Sequence, residues 1–588
     1  MNASRRLTGS LRAARFFFTF ALLALALPAP GQVLPPAPEV ASGFAVRPAV
    51  HAARFMAVTA NAHATNAAVE MLRSGGSAAD AAVAAQFVLN VEEPQSSGIG
   101  GGAFLLFFEA ASGRLDAYDG RETAPAAATA SRFLHADGTP LRFDEAVASG
   151  RSIGVPGVPA LLALVQREHG RLPWARLLQP AIRLAEAGFA ISPRLHHLLE
   201  ADPFLRQDPA ARALYYGADG AALPVGAILR NPALAATFRE LAAQGGEAFY
   251  RGDIAADIVA AVTRHRNGGG DMILADLAGY RALHREPVCA PYRAYRICGM
   301  PPPSSGGITV LEELGLLERS PFASAAPLSA EAVHLFAEAG RLAFADRRRY
   351  LGDADFVAVP QAALLDAQYL DRRARLISAE HSIGIAPPGE IPGFTARSDD
   401  AAPELPATTH LSIVDGDGNA VAMTSSVEAA FGSRTLVRGF LLNNQLTDFS
   451  FRPDDDGRPA ANRVAPGKRP LSSMAPTIVF DRQDRLLAVT GSPGGSQIIN
   501  FVAETLVALL DWHMAPAAAL ALPHFGSRNG PTELEAGSDL VPLRPALERF
   551  GERVELMEMT SGTHLVIRDG NGWTGAADPR REGTARGD

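Results

Sequence analysis

Apolar residues recur at helical spacing across residues 63–91, and the period breaks only at Gly75-Gly76. Glycine suits a helix C-terminus, so this stretch predicts two alanine-rich helices. Gly98-Ile-Gly-Gly-Gly102 follows and opens into an unbroken apolar run of strand length, residues 103–108. Further helices are expected over 160–168, 173–187 and 330–345. From 378 to 407 the period vanishes among Pro, Gly, Ser and acidic residues, the composition of an exposed linker. It stops abruptly at Thr408. Residues 409–415 alternate as a strand, Gly416-Asp-Gly-Asn419 makes a turn, and 420–425 form a second strand. A similar pair, 477–481 and 486–490, runs through Gly491-Ser-Pro-Gly-Gly-Ser496 into an apolar helix from about residue 498 to 512. Hairpins in sheets with helices before and after predict a layered α/β sandwich, not a doubly wound parallel sheet. No repeat of solenoid period is present.

With 588 residues, 47% of them apolar, the chain can bury a large core, and length alone would allow up to about four domains. Charge is mixed, 54 Lys+Arg against 62 Asp+Glu. No dense basic run follows the N-terminus, so no nucleic-acid partner is expected. Arg5, Arg6, Arg12 and Arg15 precede an apolar stretch, residues 16–27, that ends in Pro28-Ala29-Pro30-Gly31. A basic region, a short apolar core and small residues describe a secretory signal over residues 1–31. The core is short against the roughly 20 residues that span a bilayer, and an uncleaved anchor is the alternative. The expected location is periplasmic or secreted. Export makes the two cysteines readable. Residues 287–298 alternate like a hairpin; if its turn centres on Arg293-Ala294, then 292 faces 295 and Cys289 faces Cys298, within disulfide reach. The alternative is two reduced thiols.

Several formal motifs fail on context. Gly150-Arg-Ser-Ile-Gly154 fits a nucleophile elbow around Ser152, but a buried strand must precede it and residues 143–149 are helix-like. The glycine run at 98–102 precedes a strand where a dinucleotide fingerprint follows one. There is no H-E-x-x-H, His196-His197 do not share a helical face, and two cysteines do not make a zinc-thiolate site. No metal or cofactor is expected.

What remains is a threonine where a linker meets a buried strand. Thr408-Thr-His-Leu-Ser-Ile-Val-Asp415 resembles the start of the small subunit of γ-glutamyltransferases, also called glutathione hydrolases. So do Pro301-Pro-Pro-Ser-Ser-Gly-Gly307, Leu442-Asn-Asn-Gln-Leu-Thr-Asp-Phe449, Lys468-Arg-Pro-Leu-Ser-Ser-Met474, Gly491-Ser-Pro-Gly-Gly-Ser496 and Ala577-Asp-Pro-Arg580, in the right order from about Ala57 to Arg580. The resemblance implies a four-layer αββα sandwich of the N-terminal-nucleophile hydrolase type. It also implies a precursor cut between Ala407 and Thr408 into a large subunit, 32–407, and a small catalytic subunit, 408–588. A hydroxyl is a poor nucleophile without a base, and a freed α-amino group, with its ordinary pKa of about 7.7–8.0, can be that base.

By the same resemblance Ser426 orients the nucleophile, and Gly494 and Gly495 give backbone donors for the oxyanion. Arg121, Ser472 and Ser473 take the α-carboxylate of a γ-glutamyl group; Asp448 and Glu428, with Gln445 beside them, take its α-ammonium. The expected partners are small γ-glutamyl compounds such as glutathione, with water, an amino acid or a peptide as acceptor. Glu428 stands where some members carry an amide. Many relatives also have a longer, aromatic-bearing lid between Phe449 and Pro470; residues 452–469 contain no aromatic here, which implies an open acceptor side. Two rivals stand: an acylase of the same fold acting on glutaryl or cephalosporin-type side chains, which would not need acids for an ammonium, and an inactive, uncut exported binding protein.

Overall fold

The structure, a computed structural model, describes residues 41–394, 397–402 and 407–588. The expected signal segment, 1–31, lies outside the described residues.

Two seven-stranded antiparallel sheets form the centre. In the first, the spatial order is Thr584–Gly587, Met56–Thr59, Thr408–Val414, Ala420–Ser426, Gly102–Glu109, Arg114–Gly120 and Leu283–Arg285. In the second it is Val50–Ala52, Gly572–Ala577, His564–Asp569, Leu486–Gly491, Thr477–Phe480, Tyr295–Gly299 and Val288–Tyr292. The strand period of two assigns each face of the first sheet to a different core. Leu105, Phe107, Leu411, Ile413, Val421 and Met423 pack with the helices Ala62–Arg73, Ala78–Glu92, Val158–His169 and Pro232–Gln244. Their neighbours Phe104, Leu106, Phe108, Val414, Ala420 and Ala422 share a core with Ile478, Val489 and Val566 of the second sheet. That core extends to the helices Gly306–Glu318, Ala330–Tyr350 and Ile498–Leu510. The layers therefore run helix, sheet, sheet, helix.

The inter-sheet core is not wholly apolar. His410 meets Thr424 Oγ1 through Nδ1 (2.8 Å) and Ser412 Oγ through Nε2 (3.0 Å), and His564 Nδ1 meets the His410 carbonyl at 2.7 Å. Burial pushes His410 well below its usual range and His564 down to about 4. Both imidazoles are thus neutral at neutral pH: His410 ties two strands of the first sheet together, and His564 joins the second sheet to the first just beyond Thr408.

Two expectations need correction. The single helix over 173–187 is two, Trp174–Leu177 and Gln179–Ala187, since Pro180 sits in the first turn of the second and cannot donate backward. The stretch after Ser378 is not a free, exposed linker in its described part. Ala386 and Ile391 are buried, and the N–H groups of Ile383 and Gly389 donate to Glu338 and Asp346 of the Ala330–Tyr350 helix. Loss of helical period marked it as irregular, but irregular backbone can still be strapped down by side-chain acceptors.

At the edge of the second sheet Tyr292 opposes Tyr295, Cys289 opposes Cys298, and the two sulfurs are bonded. Closing so short a loop is worth about 2–3 kcal/mol in the chain-entropy model. The Cys289→Ser/Cys298→Ser protein is expected to melt at lower temperature than the wild type. Thiol labelling of unfolded, unreduced wild-type protein should find no free cysteine; two labels per chain would remove the bridge from the account.

Candidate active site

The hairpin register places Thr408 directly opposite Ser426, and alternation points both toward the inter-sheet side while Thr409 faces the helices. The Thr408 hydroxyl donates to Ser426 Oγ at 3.3 Å, and Ser426 in turn donates to the Ala407 carbonyl at 2.5 Å. The Glu428 N–H donates to the same Ser426 oxygen at 2.8 Å, which fixes its rotamer. The carbonyl that precedes Thr408 therefore accepts from the same hydroxyl that touches the Thr408 side chain. Gly101 is needed here, because a Cβ on it would lie 2.1 Å from the Ser426 carbonyl oxygen. The opposite face is anchored too: Thr409 Oγ1 donates to Glu93 (3.0 Å), which pairs with Arg194 at 3.1 Å.

Leu486–Gly491 leads into the loop that carries Gly494 and Gly495, with φ of +140° and +59°. Gly494 occupies a left-handed region that disfavours a side chain, and a Cβ there would also meet the Phe501 ring at 2.6 Å. Neither N–H is committed to a hydrogen bond with a described residue. Gly495 lines the same cavity as Thr408, so its loop brings backbone dipoles to the Thr408 side of that space.

That cavity, about 280 Å³, is lined by Arg121, Thr408, Ser426, Glu428, Gln445, Asp448, Ser472, Ser473, Met474, Gly495 and Ile498. Larger open space exists, about 1170 Å³ beside Asn66, Glu70, Arg73 and Arg586, but none of the residues singled out from the sequence lines it, whereas the smaller cavity gathers most of them. Arg121 is 1% exposed and is held by the carbonyls of Pro470 (3.2 Å) and Leu471 (2.7 Å). Its guanidinium pairs with Asp448, which also accepts from Gln445 Nε2 at 2.7 Å. Below it Glu122 is fully buried, and burial pushes its carboxyl up to about 8 against the pull of Arg121. The pocket thus presents an Arg–Asp pair, a cation beside an anion, with Glu428, two residues after Ser426, lining the same space. Glu428 has a φ of +81°, rare for a non-glycine residue, and Asn444 Nδ2 donates to its carboxylate. Such strain persists only where the surroundings over-determine it.

Ser472 and Ser473 are positioned from a distance. Ser305 N–H and Oγ both donate to the Ser472 carbonyl (2.7 and 2.6 Å), and Ser304 Oγ donates to Met474 O at 2.6 Å. The Pro-Pro-Pro-Ser-Ser motif is therefore a clamp on the serine loop. Arg347 completes it, donating to Ser305 Oγ and Ser473 Oγ, each at 2.8 Å.

Sequence reasoning missed Arg347, Glu93, Asn444 and Arg581, whose Nη1 donates to the Thr408 carbonyl at 3.2 Å. Asn444 lies inside a motif that was read and Arg581 directly follows one; Arg347 had no signal beyond being one of three consecutive arginines. Among the described residues one cluster has metal-ligand geometry, His334, Glu338 and Glu552. Arg341 already bridges both carboxylates and His334 Nε2 meets the Ser378 carbonyl (2.7 Å), so these donors are matched by a guanidinium and do not fit a metal ion. Ser152, the rejected elbow serine, is buried and donates to the carbonyls of Val147 and Ser149.

Comparison with known proteins fits this geometry. The sequence profile of the Gamma-glutamyltranspeptidase family matches residues 64–587. The Glutathione hydrolase proenzyme of Escherichia coli (strain K12) is 37% identical over 563 residues, covering 93% of this chain and 94% of its own. The Acylase ACY 1 proenzyme of Pseudomonas sp. (strain V22) is 34% identical, covering 93% of this chain and 96% of its own. The crystal structure of cephalosporin acylase from Bacillus halodurans superposes with a TM-score of 0.81 at 28% identity, covering 94% of this chain and 99% of that one. A cavity that joins a strand-terminal threonine to an Arg–Asp pair, on a chain so matched, leads to one assignment: the protein belongs to the gamma-glutamyltranspeptidase family.

Proposed function

We propose that this γ-glutamyl hydrolase and transferase is made as a precursor that cuts itself before Thr408. The reading is carried by one chain of contacts, Thr408 hydroxyl to Ser426 to the Ala407 carbonyl. In the cut, Thr408 Oγ attacks the Ala407 carbonyl carbon and the amide nitrogen leaves with a proton, giving an ester. Water then hydrolyses that ester, freeing the Ala407 carboxylate and the Thr408 α-amine. In turnover the amine accepts the hydroxyl proton, Oγ attacks the γ-carbonyl, and the Gly494 and Gly495 N–H groups face the oxyanion. The leaving amine takes the proton, and water or the amino group of an amino acid or peptide discharges the γ-glutamyl ester on Thr408.

Arg121 and Asp448 match a zwitterion: the substrate α-carboxylate meets the guanidinium, with Ser472 and Ser473 beside it, and its α-ammonium meets Asp448 and Glu428. This is the ground for preferring γ-glutamyl over the glutaryl or cephalosporin side chains of the acylase reading, since a glutaryl group brings no ammonium to Asp448 and Glu428. Residues 1–31 are read as an export signal. A disulfide suits an oxidising compartment, and among the described residues no helix is long and apolar enough to cross a membrane.

Thr408→Ala is expected to stay uncut and inactive while folded. Thr408→Ser keeps the oxygen but loses the methyl that restrains the rotamer, so it should cut more slowly and retain some activity. A fully active Thr408→Ala protein, or wild type that runs as one uncut band, would overturn the nucleophile. Asp448→Asn should lower kcat/KM for glutathione by about a hundredfold, near 2.7 kcal/mol, and lower that for a glutaryl amide much less. Equal losses on both substrates would show that Asp448 does not read the ammonium.

The strands Asp454–Asp455 and Arg458–Pro459 form an exposed hairpin without aromatic residues. A bulky γ-glutamyl amide should therefore keep kcat/KM within about a hundredfold of glutathione. A steeper fall would mean that another element closes the acceptor side.

A further inference from the structure

A conflict is built into this pocket, given the function proposed above. Asp448 and Glu428 are there to hold a substrate ammonium, yet they also stand near the amine that Thr408 acquires on cleavage. Carboxylates stabilise the protonated form of a neighbouring amine, and a protonated amine is no base. Something must distinguish the two ammonium groups.

Arg581 has the position for it. Its buried side chain reaches the Thr408 main chain, with Nη1 donating to the carbonyl oxygen at 3.2 Å. Standard bond lengths put the oxygen and nitrogen of one residue within about 4 Å, so the donor lies within about 7 Å of the amine. Arginine stays protonated at any working pH.

Among the described residues, the other groups around Thr408 are neutral, ion-paired or, like Glu428, hydrogen-bonded. Ser426 on the neighbouring strand is uncharged. Glu93, reached through Thr409, pairs with Arg194. His564 of the second sheet is neutral, held down to about 4 by burial. Asp578 accepts from Ser561 Oγ and the Thr563 N–H and lies 3.4 Å from Arg580, while Arg47 donates to the Arg581 and Gly583 carbonyls. In the pocket Asp448 pairs with Arg121, and Glu428 is held by Asn444. Among the described residues, Arg581 is the cation that hydrogen-bonds to Thr408 itself.

We propose that Arg581 is a positioning residue that keeps the Thr408 α-amine unprotonated near neutral pH, so that the pocket attracts the substrate's ammonium and rejects its own. A cation at this range acts on the amine directly, and its hydrogen bond to the carbonyl withdraws electron density from the same residue.

The test is the pH dependence of kcat/KM on a γ-glutamyl anilide for wild type, Arg581→Lys and Arg581→Gln, with rates normalised to the amount of small fragment. The wild-type acid limb should fall below the ordinary 7.7–8.0 of an α-amine. Arg581→Gln should raise that limb by about one unit, losing roughly tenfold at pH 6 and little at pH 9. Arg581→Lys, which keeps the charge, should leave it near the wild-type position. A loss uniform across pH with an unmoved limb would make Arg581 a structural prop and overturn the proposal. So would a wild-type acid limb at or above 8, a result that holds even if Arg581→Gln is not processed. Wild type that yields no fragment beginning at Thr408 would instead remove the function on which this inference rests.

Discussion

The contact between Thr408 and Ser426 is set by sheet register, and the rest of the site is arranged around it. A hydroxyl at the first residue of a buried strand can touch the hydroxyl opposite only if the hairpin pairs without a slip. The pairing Thr408↔Ser426 through Val414↔Ala420 is unbroken. A shift of one residue would turn Thr408 toward the helices and bring Thr409 to the cavity. Burial makes such a slip costly, since it would drive His410 and Ser412 into an apolar helix core and leave their hydrogen bonds unmade. The inter-sheet histidines thus protect the register on which the chemistry relies.

A cut before Thr408 would not loosen this arrangement. The strand Thr408–Val414 is flanked by Met56–Thr59 on one side and Ala420–Ser426 on the other, and Ala420–Ser426 pairs in turn with Gly102–Glu109. Segments before and after the junction alternate within a single sheet. Both proposed chains therefore contribute to the same hydrogen-bond ladder and the same two cores, so separating them would require unfolding. The pocket is shared in the same way: Arg121 comes from one side of the junction, and Asp448, Ser472 and Gly495 from the other.

Much of the frame was legible because it is periodic. The paired strands after Thr408, the two helices around Gly75-Gly76 and the Tyr292–Tyr295 register all follow from alternation or helical spacing over several residues. What lay hidden has no period. Arg121 and Asp448 are 327 positions apart, and nothing local to either residue announces the pair. Arg347 and Arg581 are cations that hold groups far away in sequence, two serine hydroxyls and the Thr408 carbonyl. The strapped stretch after Ser378 was misread for a related reason, since its order comes from Glu338 and Asp346 on a helix and not from its own composition. The site residues were named through a resemblance of motifs; the distances between those motifs came only with the fold.

The account's central claim is that one hydroxyl, that of Thr408, forms the covalent bond to substrate. The most direct measurement is to trap that bond: quench the wild-type enzyme with a slow γ-glutamyl substrate at acidic pH, then map the added mass by peptide mass spectrometry. The account predicts a single γ-glutamyl adduct on the peptide whose first residue is Thr408, absent from the Thr408→Ser protein only in proportion to its slower acylation. An adduct on Ser426, Ser472, Ser473 or Ser152, or on a peptide in which Thr408 is still joined to Ala407, would contradict it.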